Sequence, residues 1–189
     1  MKISLSNDAP TSVATDWLVV PASGKKPLNE PLLQKLDRAL GGVIAAHMKE
    51  ESFEAKRGKT LHIVLPGKGR VRAKQLLIVG LGEGVSEATA RLYGVKAGRA
   101  AQSQTSLAIV APSTDPTLLR ALADGVGTGA YRYTRYFTGS RAPKKQLSKA
   151  SILLERKPSA EQKHAVTEGA ISADAVNFAR DLVNCPPND

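Results

Sequence analysis

Short apolar runs alternate along this 189-residue chain with longer stretches of helical periodicity, and few folds accept that alternation. Trp17-Leu18-Val19-Val20, Leu61-His62-Ile63-Val64-Leu65, Leu76-Leu77-Ile78-Val79, Leu107-Ala108-Ile109-Val110 and Ser151-Ile152-Leu153-Leu154 are short, aliphatic and mostly rich in β-branched residues. They read as strands. The turn Pro66-Gly67-Lys68-Gly69 makes the second and third of them neighbours, and the unbroken hydrophobicity of the third predicts burial on both faces.

Helix signals fill the intervals. Pro31 suits a first turn, and Leu32, Leu33, Leu36 and Leu40 follow at helical spacing up to Gly41-Gly42. The pattern resumes from Val43 to Met48, which fits either a second helix or a continuation across the glycines. Ser86 caps a helix from Glu87 to about Ser103, in which Gly94 and Gly98 each cost about 1 kcal/mol against alanine. Lying four apart, they would recover that loss by letting another element approach closely. Asp115-Pro116 is a cap followed by a first-turn proline, and the stripe Leu118, Leu119, Leu122, Val126 runs into Tyr131 and Tyr133. Ser159-Ala160-Glu161-Gln162 has capping-box spacing and opens a helix through Val166, Ala170, Ala173 and Val176 to about Val183, stopped by Pro186-Pro187.

The predicted class is therefore α/β, with a mixed, mostly parallel sheet flanked by helices on both faces. Residues 1–183 are expected to form one domain, and 184–189, with their stiff double proline, the start of a linker to another domain. The polar, basic segment from Gly139 to Lys149 reads as an exposed loop. With 42% hydrophobic and 23% charged residues the chain carries a packed core, and at 4% aromatics that core is aliphatic. No apolar run approaches the roughly 18 residues of a membrane span. The amino terminus lacks a secretory pattern, and the single cysteine, Cys185, points to a reducing, cytoplasmic setting.

Catalytic motifs are sparse. His47, His62 and His164 are isolated from one another and from other ligands at zinc spacing, so they read as surface or partly packed residues. Cys185 sits at a helix carboxyl end, where the dipole disfavours a thiolate, and reads as a structural thiol. Gly80-Leu81-Gly82-Glu83-Gly84 occupies a strand-to-helix turn, but Val85 stands where a dinucleotide fingerprint needs its third glycine and Glu83 where phosphate would lie. A tight turn is the simpler reading. Charge says more: the chain carries 27 Lys and Arg against 17 Asp and Glu, a net +10. Two tracts are free of acids. Lys56, Arg57, Lys59, Lys68, Arg70, Arg72 and Lys74 form one; Arg132, Arg135, Arg141, Lys144, Lys145 and Lys149 form the other. Both are candidate nucleic-acid contacts. Tyr131-Arg132-Tyr133-Thr134-Arg135-Tyr136-Phe137 interleaves rings with cations, the rings expected in the core and the arginines in solvent.

Four stretches, taken in order, carry a family resemblance. They are Phe53-Glu54-Ala55-Lys56-Arg57-Gly58, Leu77-Ile78-Val79-Gly80-Leu81-Gly82, Ala123-Asp124-Gly125 with Gly129-Ala130-Tyr131-Arg132-Tyr133, and Ala179-Arg180-Asp181-Leu182-Val183-Asn184-Cys185-Pro186-Pro187-Asn188. From about Trp17 onward the chain resembles the N-terminal domain of the leucyl aminopeptidase (cytosol aminopeptidase) family. The last stretch is similar to the junction with that family's catalytic domain, usually with threonine at the place of Cys185. Gly127 departs from the family's bulkier apolar residue and puts the regularity of its helix in question.

The resemblance implies a macro-domain-like fold without catalytic residues. It implies a parent enzyme that releases N-terminal amino acids from peptides, using two divalent ions, manganese or zinc, held in a C-terminal domain and typically assembled as a hexamer. The family's metal-binding signature, Asn-Thr-Asp-Ala-Glu-Gly-Arg, does not occur here, so no catalytic or metal residue carries over. The expected role is assembly or regulation beside a catalytic domain of the same protein, with no enzyme activity in this chain alone. The alternative is a DNA-binding module using the tracts 56–74 and 132–149. A nucleotide or ADP-ribose pocket near Gly80 to Gly84 is a third reading drawn from the macro-domain likeness.

Overall fold

The computed structural model describes residues 1–66 and 69–186. Gly67 and Lys68 of the expected turn, and Pro187 and Asn188 of the junction stretch, lie outside the described residues. In chain order the elements are β1 (Lys2–Ser6), β2 (Thr15–Ser23), α1 (Pro31–Ala39), α2 (Val43–Glu50), β3 (Thr60–Val64) and β4 (Ala73–Gly82), followed by α3 (Glu87–Ala101), β5 (Ser106–Val110), α4 (Pro116–Gly129), β6 (Lys149–Leu153) and α5 (Ala160–Asn184). One six-stranded sheet has the order β1-β6-β5-β2-β4-β3. Among the described strands only β3 runs antiparallel, against β4; the other pairings are parallel.

Local chemistry sets the element ends as the sequence suggests. The Ser86 hydroxyl accepts the Thr89 N–H, the Asp115 carboxylate accepts those of Thr117 and Leu118, and Ser159 and Gln162 close a reciprocal capping box. The stretch after Pro31 resolves into two helices, because Gly42 takes φ +86° and breaks the continuity. β1 is mostly polar, with Ile3 and Leu5 as its aliphatic members. Its alternation of Ile3 and Leu5 pairs with Ala150 and Ile152 of β6 and forms one edge of the sheet.

The sheet divides two cores. Leu33 and Leu36 of α1 and Ile44 and Met48 of α2 pack with Leu18, Val20, Leu61, Ile63, Leu76 and Ile78 on one face. Tyr93, Ala97, Leu119, Leu122 and Val126 of α3 and α4 pack with Trp17, Val19, Leu77, Val79, Leu107 and Ile109 on the other. Two four-residue glycine pairs let α3 and α4 touch main chain to main chain. A Cβ at Gly94 or Gly98 would collide with the carbonyls of Leu122 or Val126, and one at Gly125 or Gly129 with those of Arg91 or Val95. Gly127 does the same for α5, since a Cβ there would run into Ala173. The helix through Gly127 is unbroken, so the departure there serves packing.

Candidate functional site

α5 is the longest helix described, and it buries a narrow stripe, Ala165, Val166, Gly169 and Ala173. Small residues suffice there because the helix lies close against α4. Its outer face is apolar as well. Ile171 is 64% exposed, Phe178 64%, Leu182 62% and Val183 85%, with Val176 and Ala175 between them. Ile171, Ala175, Phe178 and Leu182 recur at intervals of four, three and four, which is one helical face. Exposed apolar patches of this continuity mark contact surfaces.

The carboxyl half of α5 clamps the segment that follows α4. The Asn177 amide donates to the Gly127 carbonyl at 3.1 Å and the Arg180 guanidinium to that of Thr128 at 2.9 Å. The Tyr131 hydroxyl donates to Asp181 at 2.8 Å, and Arg180 stacks over the Tyr131 ring. Burial first, then the hydrogen bond to the Asp181 carboxylate, raises the Tyr131 hydroxyl above its ordinary pKa. The Arg135 guanidinium and the Tyr136 hydroxyl reach the Cys185 sulfur at 3.5 and 3.6 Å. These contacts correct the expected placement of the aromatic segment. Tyr131 and Tyr133 are half-buried and Tyr136 and Phe137 exposed, because α4 ends at Gly129 and the segment turns outward, where Tyr131 and Tyr136 meet α5 and its cap and Tyr133 meets Tyr136 edge-on.

The stretches that carry the resemblance join main chains. Ala55, Gly58 and Lys59 exchange hydrogen bonds with Gly80 and Gly82, and a Cβ at Gly80 would strike the main chain of Ala55 and Lys56. Gly80-Leu81-Gly82 thus belongs to β4 rather than to the expected turn, because its main chain is bonded to residues 55–59, and the turn toward α3 begins at Glu83. Asp124 pairs with Arg91 at 2.7 Å across the α3–α4 crossing. Among the described residues no group of three or more His, Cys, Asp and Glu could hold a metal ion. His62 stacks on Trp17 and meets Gln75 at 2.9 Å, and His164 pairs with Glu168.

The basic tracts are split by the fold. Lys56, Arg57 and Lys59 lie at the carboxyl end of β4, while Arg72 and Lys74 lie at its amino end, about 20 Å away at ~3.3 Å per residue. Arg70 lies beyond Arg72 in the same loop. Some cations are already paired: Lys56 with Glu54 and Lys74 with Asp16, each at 2.6 Å. The amino end of the parallel strands gathers members of both tracts. Arg132 donates to Ser103, Lys149 is held through its N–H by Thr105, and Thr105 and Lys74 share the Asp16 carboxylate. Arg141, Lys144 and Lys145 are exposed on the loop leading to β6, and the loop drops Leu147 into the core. The exposed apolar side chains of α5 form a surface that sequence patterning missed. Its signal was present, since Ile171, Phe178 and Leu182 lie off the stripe that the buried residues define.

The comparisons agree with this geometry. Residues 19–140 match the model of the cytosol aminopeptidase family, N-terminal domain. A probable cytosol aminopeptidase of Xanthomonas oryzae pv. oryzae is 31% identical over 201 residues, covering 100% of this chain and 39% of the relative. A solved structure of a tomato leucine aminopeptidase mutant superposes with a TM-score of 0.81 at 25% identity, covering 100% of this chain and 39% of that one. The bottromycin maturation enzyme BotP, solved in complex with manganese, gives a TM-score of 0.62 at 26% identity over 92% of this chain and 32% of its own. The chain thus spans about two-fifths of the length of the curated relatives it matches.

Proposed function

We propose, from the premise that this chain belongs to the cytosol aminopeptidase family as its N-terminal domain, that it is a non-catalytic assembly or regulatory domain whose α5 face seats a catalytic domain. The observation that carries this is the run Ile171, Ala175, Phe178, Leu182: apolar, contiguous and uncovered among the described residues. The chain matches only the first part of longer relatives, so in the parent protein a further domain is expected beside that face. The parent would be a cytoplasmic enzyme that removes N-terminal residues from peptides with two divalent ions, manganese or zinc, in that second domain, and would assemble as a hexamer.

The test compares residues 1–189 with the product of the whole reading frame in the hydrolysis of leucine p-nitroanilide with manganese added. The full product is expected to be active and residues 1–189 inert. Hydrolysis by residues 1–189 alone would refute the reading.

A second reading is favoured by the convergence of Arg132, Lys149 and Lys74 at the amino end of the sheet: this end binds DNA through its phosphates. Gel shifts across a salt series test it. With some six phosphate contacts, affinity would fall about 10³-fold between roughly 50 and 200 mM salt. Arg132→Glu with Lys149→Glu should weaken binding and flatten the salt slope, and Lys56→Glu with Arg57→Glu, at the other end, should not. Equal effects from both pairs would refute a localised surface.

A further inference from the structure

The sheet opens between β2 and β5. Their ladder holds three residue pairs, from Trp17–Leu107 to Val19–Ile109. Beyond it β2 continues to Ser23 on β4, and β5 reaches Val110 on β6. The sequence explains the break. Ala111 donates its N–H to the Leu153 carbonyl, so its neighbour Val110 turns its main chain toward β2, and the next ladder bond would run from the N–H of residue 21 to the Val110 carbonyl. Residue 21 is proline and has no N–H. The buried Tyr93 hydroxyl takes its place, 3.0 Å from the Val110 oxygen and 3.1 Å from that of Val19.

The chain leaves β2 for α1 on one face and β5 for α4 on the other. This is the switch point at which open α/β sheets form ligand crevices beyond the carboxyl ends of their strands. A cleft of about 920 Å³ lies there, walled by Pro21 and Ser23 on one side and Val110 to Thr114 on the other. That size suits a small molecule. Its apolar lining includes Leu81, Val85 and Leu153.

Its charges run against the molecule's. In a chain of net +10 the cleft carries three carboxylates, Asp8, Glu30 and Glu155, and one ammonium, Lys35. Glu30 is half-buried at the amino end of α1, and its Oε1 accepts the Ser23 N–H at 2.6 Å. Burial raises its carboxyl above the ordinary value, against hydrogen bonds from the Ser23 main chain and side chain. A phosphate here would meet three like charges. A donor-rich cation would meet acceptors.

We propose that this crevice binds a small primary ammonium carrying an aliphatic body, with Glu30 as its counter-charge and the strand ends as its apolar wall. The inference is independent of what α5 contacts. The experiment is an NMR titration of the isotopically labelled chain with leucinamide and with 3-methylbutylamine, and with AMP as the anionic counterpart. Saturable shifts at Ser23, Val110 and Ser113 are expected with both amines. Glu30→Gln, which keeps an acceptor for Ser23, should weaken binding about tenfold. Should that variant fail to fold, the exposed pair Asp8→Asn with Glu155→Gln carries the same test through the cleft's charge. Tighter binding of AMP, absence of saturation by either amine, or full affinity in folded charge-removed variants would overturn the proposal.

Discussion

Asp16 carries more of the sheet's amino end than any other single side chain described there. Oδ2 accepts the N–H and hydroxyl groups of both Thr105 and Ser106, and Oδ1 accepts the Lys74 ammonium at 2.6 Å. Burial opposes its charge, but Lys74 and the donors of Thr105 and Ser106 outweigh burial and hold the carboxyl well below its usual range. A carboxylate depressed in the folded state contributes stability that is fully present above its unfolded pKa, near 3.8, and lost as pH falls from there toward the folded value. Acid denaturation followed by circular dichroism should therefore be less steep below about pH 4 in Asp16→Asn than in the parent. Asp16→Ala should cost about 3 kcal/mol at neutral pH, read from urea unfolding, because it strands several buried donors. Tyr93→Phe should cost about 2 kcal/mol by the same measurement, since it leaves the Val110 carbonyl without the donor that Pro21 cannot supply.

At the scale of elements, the crossing of α3 and α4 turns on four glycines that face carbonyls of the opposing helix. Substituting Gly98 with leucine should lower the unfolding free energy by about 3 kcal/mol or more, because the obstacle is main chain and cannot swing aside. The four-residue spacing of Gly94 and Gly98 was legible in the sequence, but the identity of the opposing helix was not, since that depends on the turn at which distant segments meet. Caps were legible for the opposite reason: Ser86, Asp115 and the Ser159–Gln162 box act within four residues of themselves. β1 escaped notice because two aliphatic residues among polar ones are a weak signal until β6 offers a ladder. An aromatic cluster at a helix end reads as core, yet α4 stops at Gly129 and the segment from Tyr131 to Phe137 turns out toward α5. The outer face of α5 yields a converse prediction. Phe178→Asp with Leu182→Asp should leave the unfolding free energy of residues 1–189 within about 0.5 kcal/mol of the parent, as exposed sites do, while abolishing capture of the catalytic domain in a pull-down.

For the whole molecule, charge and topology were unequally legible. The sum of +10 was plain from the sequence, but its distribution was not: the fold sends Lys56 and Arg57 to one end of the sheet and Lys74 to the other, and it collects carboxylates at the switch-point cleft. That cleft rests on Pro21, Tyr93 and the register of β2 against β5, three facts that meet only in the folded chain. An excess of 27 basic over 17 acidic groups implies net self-repulsion in the compact state, and salt screens it over about 10 Å at 0.1 M. Screening also weakens the attractive pairs, Lys56–Glu54, Lys74–Asp16 and Arg91–Asp124 among them. Lys56–Glu54 is exposed on both sides and contributes about 0–1 kcal/mol, while the Asp16 and Asp124 carboxylates are largely buried and their pairs are screened less. Repulsion among the unbalanced cations should outweigh that loss. Calorimetry at pH 7 should show the thermal midpoint rising by a few degrees as sodium chloride increases from low to physiological concentration and beyond, and a flat or falling midpoint would mean that the pairs, rather than the excess charge, dominate the molecule's electrostatics.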